Sequence, residues 1–448
     1  MNSLVVSTIT QEEDTSFASG KEWLTIIILA LIGLYWNYIP YSNMISITMQ
    51  TVLLGLIFVL YRKKPVMFMV SYILLTILPT RIYGGFMESA QNYYTLNPKI
   101  CIAGSLLFFI FGLAFLKRNF TIKFSILLFV TLMMTSLVWT ISSFAYDMDF
   151  WWMLTAYLLF PMFIQTDHDL RLILTAYIVA VDVFCLNILP LLVTGTNLYR
   201  GIIRLDPNYA AFFVIISIAI ILIILTSYKA ELSKQFTAFL FASGMLSVIS
   251  MAYFTSRTAF VMLAFLAVAY LFFNSKKLNT MVISLISIVI LYFLFNHFGL
   301  FDATILRFTE PNIVTAGGRF EIQLALLSSF NEFGIGQIIL GNGYLTISYF
   351  GMGYQAHNSY ISILIGFGLL GLSIYCFYLY EIFRTLYSST YKPFLIMFYL
   401  LCLYGFSLEP YLIIEGILLF CVLSGISNII RTNNEQPDNT KDEIDLKI

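Results

Sequence analysis

Apolar and polar residues come in long alternating blocks along this 448-residue chain. About 14 apolar blocks are long enough to cross a bilayer as helices. They lie near 22–39, 44–61, 65–80, 100–116, 124–145, 150–165, 172–194, 209–227, 236–254, 258–274, 280–298, 359–380, 393–408 and 411–430. The blocks at 65–80, 150–165 and 393–408 are short, so the pattern predicts 12 to 14 spans. The expected fold is an all-α polytopic integral membrane protein. Residues 22–430 would form one transmembrane domain, interrupted by a single large outer loop at 299–358. Residues 1–21 and 431–448 read as polar tails, the second expected to be disordered. No repeat of fixed period is visible.

Composition sharpens this picture. The chain is 60% hydrophobic and 11% charged, against roughly 25% charged in an ordinary soluble domain. Mean hydropathy is +0.87. Net charge is zero, which gives no footprint for a nucleic-acid partner. The 42 Phe and 29 Tyr suit lipid-packed helices with ring belts at the two interfaces. Cys101, Cys185, Cys376, Cys402 and Cys421 all fall inside apolar runs. They read as small core residues without metal-ligand spacing or a disulfide framework. Residues 1–20 lack a basic start before an apolar core, so no cleavable signal sequence is expected.

Orientation follows from Lys and Arg. With the N-terminus in the cytoplasm, all but seven of the 24 fall on the inner side. Both termini are then cytoplasmic. The outer seven are Arg81, Lys99, Arg200, Arg204, Arg257, Arg307 and Arg319, nearly all Arg. Guanidinium is the better group where an anion must be held at two points. His297 and His357 also lie at or beyond outer ends of spans, so polar chemistry concentrates on the outer face.

The outer loop carries an amphipathic pattern. In Arg319–Phe330 the residues Phe320, Leu324 and Leu327, with Leu326 and Phe330 nearby, predict a helix lying on the bilayer. Arg319 would sit in its first turn, unfavourably for the dipole unless an anion binds there. Pairing with Glu321 or Glu310 is the alternative. Gly341-Asn-Gly343 and Gly351-Met-Gly353 read as turns returning the chain to His357. The next apolar run follows His357-Asn358-Ser359 directly, with Asn358 or Ser359 as the cap. The positive end of that helix dipole would favour a neutral imidazole able to accept a proton.

Two further loops add charge. Asp206-Pro207-Asn208 is a helix-start signature. Just before it, Arg200 and Arg204 are spaced four apart. Snorkelling to the interface would explain both equally well. Arg257 stands in the tight turn Thr255-Ser256-Arg257-Thr258, where a cation facing lipid is costly and one facing a polar cavity is not. At mid-membrane depth only Asp182 is clear, and it reads as a helix–helix hydrogen-bonding group. No acidic cluster or repeated His suggests a metal, and no phosphate-binding glycine loop or other cofactor motif is present. A substrate used on the outer face would have to arrive already activated.

Ala356-His-Asn-Ser-Tyr360 with Gly366, Gly368 and Gly371 resembles the His-containing motif of the O-antigen ligase and polymerase superfamily. The resemblance extends in order to Arg204-Leu-Asp-Pro-Asn-Tyr209, Thr255-Ser-Arg-Thr258 and Gly317-Gly-Arg319, covering roughly residues 195–375. It implies a glycosyltransferase of the bacterial cytoplasmic membrane acting on undecaprenyl-diphosphate-linked glycans. By that resemblance Arg257 and Arg319, with Arg204, hold the donor diphosphate. His357 serves the acceptor hydroxyl, and no cofactor is involved. Arg200, Asp206, Asn358 and Glu321 are secondary candidates. The Asp-Pro-Asn-Tyr element and the span count favour a polymerase of O-antigen, capsule or exopolysaccharide, working with a chain-length regulator and a flippase. A ligase that transfers the glycan to lipid A core or protein is the nearest alternative. A transporter or flippase for the same lipid-linked sugar is the alternative from another class; it expects paired ionisable groups at the midplane.

Overall fold

A computed structural model describes residues 17–36, 43–74, 122–139, 148–193, 207–254, 256–273, 319–343, 356–412 and 414–435. These residues are helical with short connections, and no strand occurs among them. In chain order the α-helices are α1 (Gly20–Trp36), α2 (Asn43–Tyr61), α3 (Val66–Tyr72), α4 (Phe124–Ser136) and α5 (Met148–Leu159). Then come α6 (Asp167–Val193), α7 (Pro207–Ser227), α8 (Lys234–Phe254), α9 (Arg257–Phe273), α10 (Arg319–Ser329) and α11 (Ile335–Leu340). The last three are α12 (Ser359–Tyr387), α13 (Leu395–Tyr404) and α14 (Ile414–Glu435).

The apolar runs overlap these helices, except that 100–116 and 280–298 lie outside the described residues, as do the ends of the runs 65–80 and 124–145 beyond 74 and 139. Among the described residues Ala210–Ser227, Ser359–Tyr387 and Gly416–Asn433 are long and apolar enough to cross a membrane. Phe124–Ser136, Met153–Phe163, Arg257–Tyr270 and Lys392–Tyr404 are shorter apolar helices. The tail expected from residue 431 is helical as far as Glu435, because α14 runs on. Residues beyond it lie outside the described set.

Polar side chains tie helix ends together at two poles of the bundle. At one pole Asp167 accepts hydrogen bonds from Tyr228, Tyr391 and Arg171, at 2.8, 3.0 and 2.6 Å. This joins the start of α6 to the end of α7 and the approach to α13. Beside it, Glu22 is 1% exposed. It meets the Lys64 ammonium at 2.9 Å and the His168 ring at 3.2 Å. Ser19 and Glu22 also form a reciprocal cap on α1. At the opposite pole lie the starts of α7, α9 and α12 and the end of α13; Phe212 and Tyr404 meet there edge to face at 4.8 Å.

Among the described residues Tyr380, Tyr387 and Tyr399 are exposed, while other tyrosines lie in the core. Tyr72, Tyr157, Tyr177, Tyr375, Tyr378, Tyr404 and Tyr411 are fully buried. Tyr157, Tyr375, Tyr378 and Tyr411 form a column with Phe129 and Phe420. Large flat rings fill the gaps between helices, and two of the column's hydroxyls find internal partners: Tyr157 donates to the Tyr411 carbonyl, and Tyr378 pairs with Ser424. Cysteines follow the core expectation at Cys185 and Cys421, whereas Cys376 is exposed on α12.

The largest departure lies in α12, expected as one unbroken span. Gly368 has φ 65° and ψ −166°, so the helix is interrupted there. The carbonyls of Ile365 and Gly366 accept from the N–H groups of Asn342 and Gly343, at 3.0 and 2.8 Å. The Gly341–Gly343 turn therefore does not simply return the chain to His357. It docks beside α12 and satisfies the backbone groups that the break exposes, as an apolar environment requires. The helix at 319 forms as expected, but its apolar residues split between two faces. Leu326, Ile322 and Phe330 pack with Ala356 and Ile365, while Phe320, Leu324 and Leu327 stay exposed. So α10 rests on α12 as well as presenting an apolar side outward.

A Cβ at Gly368 would collide with the Ile339 carbonyl, and a Cβ at Gly341 with the Gly366 carbonyl. Gly368→Ala and Gly341→Ala should each lower stability by about 1–3 kcal/mol from backbone strain alone, read as a reduced unfolding midpoint in detergent. Gly55→Ala, where added bulk meets nothing within 4 Å, is the neutral-to-stabilising control.

Candidate functional site at the His357 pole

α13 ends at Tyr404, and the N–H groups of Gly405–Leu408 turn back to its last carbonyls. The carbonyls of that connection in turn each receive a donor from elsewhere. The Ser359 N–H donates to the Gly405 carbonyl at 2.7 Å, and the Asn358 amide to Phe406 at 3.5 Å. An Arg319 guanidinium N–H donates to Ser407 at 3.0 Å, and the Ser359 hydroxyl to Leu408 at 3.2 Å. Gln323 on α10 adds a bond to the Ala356 carbonyl at 3.4 Å. The first turn of α10 and the His357-Asn358-Ser359 knot thus meet on one short segment.

This contact revises the expectation for Arg319. Its charge is unfavourable at the start of α10, but its side chain reaches the negative end of α13, where a cation is favoured. A bound anion is not required to explain its position. Asn358 acts as the cap of α12, its side-chain oxygen accepting from Tyr360 N and Ile361 N at 3.0 and 3.1 Å. Glu321 is exposed. Tyr360 is committed to packing: its hydroxyl donates to the Cys402 carbonyl, and its ring lies 4.7 Å from Phe406.

His357 has φ 47° and is the sole non-glycine residue with positive φ among those described. Histidine tolerates this conformation better than most residues, but it remains uncommon. Backbone strain of this kind gathers at functional positions. Its Nδ1 is sealed from solvent.

Arg257 opens α9. Ser256 caps that helix through the Ala259 N–H and donates to Asn208 Oδ1 at 2.7 Å. This bond draws the start of α9 to the start of α7, which begins at Pro207 as the sequence signature predicts. The Asn208 side chain is used for this link. α9 also packs on α13, so Arg257 belongs to the same pole as Arg319 and His357. Arg200, Arg204 and Asp206 lie outside the described residues. Asp182 accepts a 2.6 Å bond from Ser243, joining α6 to α8 within the bundle. That matches its reading as a helix–helix hydrogen-bonding group.

Glu409 was not anticipated. It is 3% exposed, in the two-residue interval between the last two apolar runs. Burial pushes its carboxyl up to about 7, partly offset by a hydrogen bond with Ser362. The Ser362 hydroxyl also pairs with the Tyr411 hydroxyl at 2.7 Å. A carboxyl that titrates near neutrality beside a polar helix start can move protons as well as hold structure. Beside Pro410 and between two apolar runs, Glu409 reads from the sequence as an acid in a loop at a span end, so its burial left no local sign.

The class defined by the fold is an all-α protein with helices suited to a bilayer and a polar meeting point of several helix ends. Among the described residues no group of three His, Cys, Asp or Glu could hold a metal ion. No protein-family model, curated protein or solved structure matches the chain.

The raised Glu409 value sets a pH dependence. The folded state keeps this proton above the ordinary carboxylate range, so the unfolded state ionises first. Stability should fall as pH rises from about 4.5 and level off above about 7, by on the order of 3 kcal/mol for this one group. Unfolding midpoints measured from pH 5 to pH 8 should show a shallower decline in Glu409→Gln than in the unaltered protein.

Proposed function

We propose that this chain is a membrane glycosyltransferase that polymerises undecaprenyl-diphosphate-linked oligosaccharide repeat units on the outer face of the bacterial cytoplasmic membrane. The observation that carries the reading is the meeting of Arg319 and the His357-Asn358-Ser359 knot on residues 405–408, at the pole where Arg257 begins α9. The ordered motifs that resemble the O-antigen ligase and polymerase superfamily supply the substrate class.

In this mechanism a sugar hydroxyl of the acceptor attacks the anomeric carbon of the donor. The new glycosidic bond forms as the bond to the diphosphate oxygen breaks, and the lipid diphosphate leaves with the bonding pair. Arg257 and Arg319, with Arg204, neutralise the charge that develops on it. The acceptor proton passes to His357. A single displacement inverts the anomeric configuration. Asn358 holds the first turn of α12, and so sets where His357 stands.

Purified protein given a synthetic undecaprenyl-diphosphate repeat unit, with and without lipid A core, distinguishes the readings. A ladder without core supports polymerase, and a single addition to core supports ligase. The absence of product would favour transport. His357→Asn keeps a residue that tolerates the left-handed backbone, so it should fold normally. It should lose activity by roughly 100-fold or more. Arg257→Ala and Arg319→Ala should each lose on the order of 100- to 1,000-fold. Long chains at normal yield from all three variants would remove the proposal.

A further inference from the structure

Away from the His357 pole, the start of α1 and the end of α2 enclose a cleft of about 280 Å³. Lys21, Arg62, Lys63 and Lys64 line it, with Glu22 and Tyr61. Lys64 is held by Glu22, whose carboxylate is also met by His168. Lys21, Arg62 and Lys63 are exposed and have no ion-pair partner among the described residues. Three cations thus face one cleft whose single acid is already neutralised.

Apolar surface adjoins the cleft. Leu60 lines the cleft, and Leu56, one helical turn away, continues the same exposed stripe of α2. From Lys21 the exposed residues Leu24 and Ile28 run along α1 with the same periodicity. The two helices are joined between the stripes by the Thr25 and Tyr61 hydroxyls, 2.5 Å apart. A ligand that fits has a compact anionic head and apolar chains that leave along the helices.

We propose that this cleft binds the phosphodiester headgroup of an anionic phospholipid, with its acyl chains against the exposed faces of α1 and α2. A phosphate offers several acceptor oxygens to Arg62 and to the two ammonium groups. Basic pockets between apolar helices are suited to such headgroups. A free phosphate shares the head chemistry but has no use for the adjoining apolar surface, so the lipid is the ligand assigned. The site is independent of the reaction proposed at the opposite pole.

The test is native mass spectrometry of the full-length protein in a non-ionic detergent, titrated with phosphatidylglycerol, phosphatidylcholine or inorganic phosphate. The unaltered protein should retain phosphatidylglycerol at least tenfold more tightly than phosphatidylcholine. The triple variant Lys21→Ala, Arg62→Ala, Lys63→Ala should weaken that binding by roughly 100-fold, from about fivefold per cation near an anionic headgroup. Arg62→Gln alone, a milder change at an exposed position, should weaken it about fivefold and covers the case in which the triple variant does not fold. Equal retention of the two lipids, or undiminished phosphatidylglycerol binding in Arg62→Gln, would overturn the site. Displacement of the lipid by millimolar inorganic phosphate would overturn the lipid assignment.

Discussion

An apolar environment does not forgive an unpaired peptide group, and the structure around α12 follows from that constraint. Gly368 interrupts the helix, and carbonyls one turn earlier would be left without donors. Asn342 and Gly343 supply them. Because backbone answers backbone at this depth, the segment from α10 to Gly343 cannot stand off as a free loop. It is pinned to α12, and Arg319 is carried to within reach of the turn that receives Ser359 and Asn358. The pole at His357 therefore depends on a break in a helix more than a full turn away from it.

The same rule organises the two ends of the bundle in different ways. At the Glu22 pole the polar groups are charged and paired: Glu22 with Lys64 and His168, Asp167 with Arg171 and two tyrosines. These contacts close the bundle, while Lys21, Arg62 and Lys63 gather around one cleft. At the His357 pole the polar groups are mostly backbone carbonyls and neutral side chains, with Arg257, Arg319 and the buried Glu409 among them. Among the described residues, Arg319, Ser359 and Asn358 there donate to backbone carbonyls of one turn.

Strain and burial mark the residues on which a chemical reading rests. His357 sits at positive φ directly before the capping residue Asn358, so its position is set by the cap and by the turn beneath it. Glu409 is buried in the connection between α13 and α14, hydrogen-bonded to Ser362 in the first turn of α12. Both are consequences of one packing arrangement. The interaction of α12 with α13 seals the turn, and the turn orients both groups.

Block hydrophobicity by itself determined that the chain folds as apolar helices, and where most of them start. Pro207 at the opening of α7 and Asn358 at the cap of α12 were legible because they act through local backbone geometry. Asp182 as a helix–helix hydrogen-bonding group was legible because a lone acid in an apolar run has few other options. The broken helix at Gly368 was not, since a glycine inside an apolar run reads the same whether or not another backbone arrives to fill the gap. Nor was the destination of Arg319, whose local position argued for an anion while a distant helix end provided the partner. The aromatic column and the burial of Glu409 likewise depend on which helices become neighbours. Periodicity reports how a segment relates to its own axis, whereas these features arise from contacts between segments far apart in the chain, and only the packed bundle decides them.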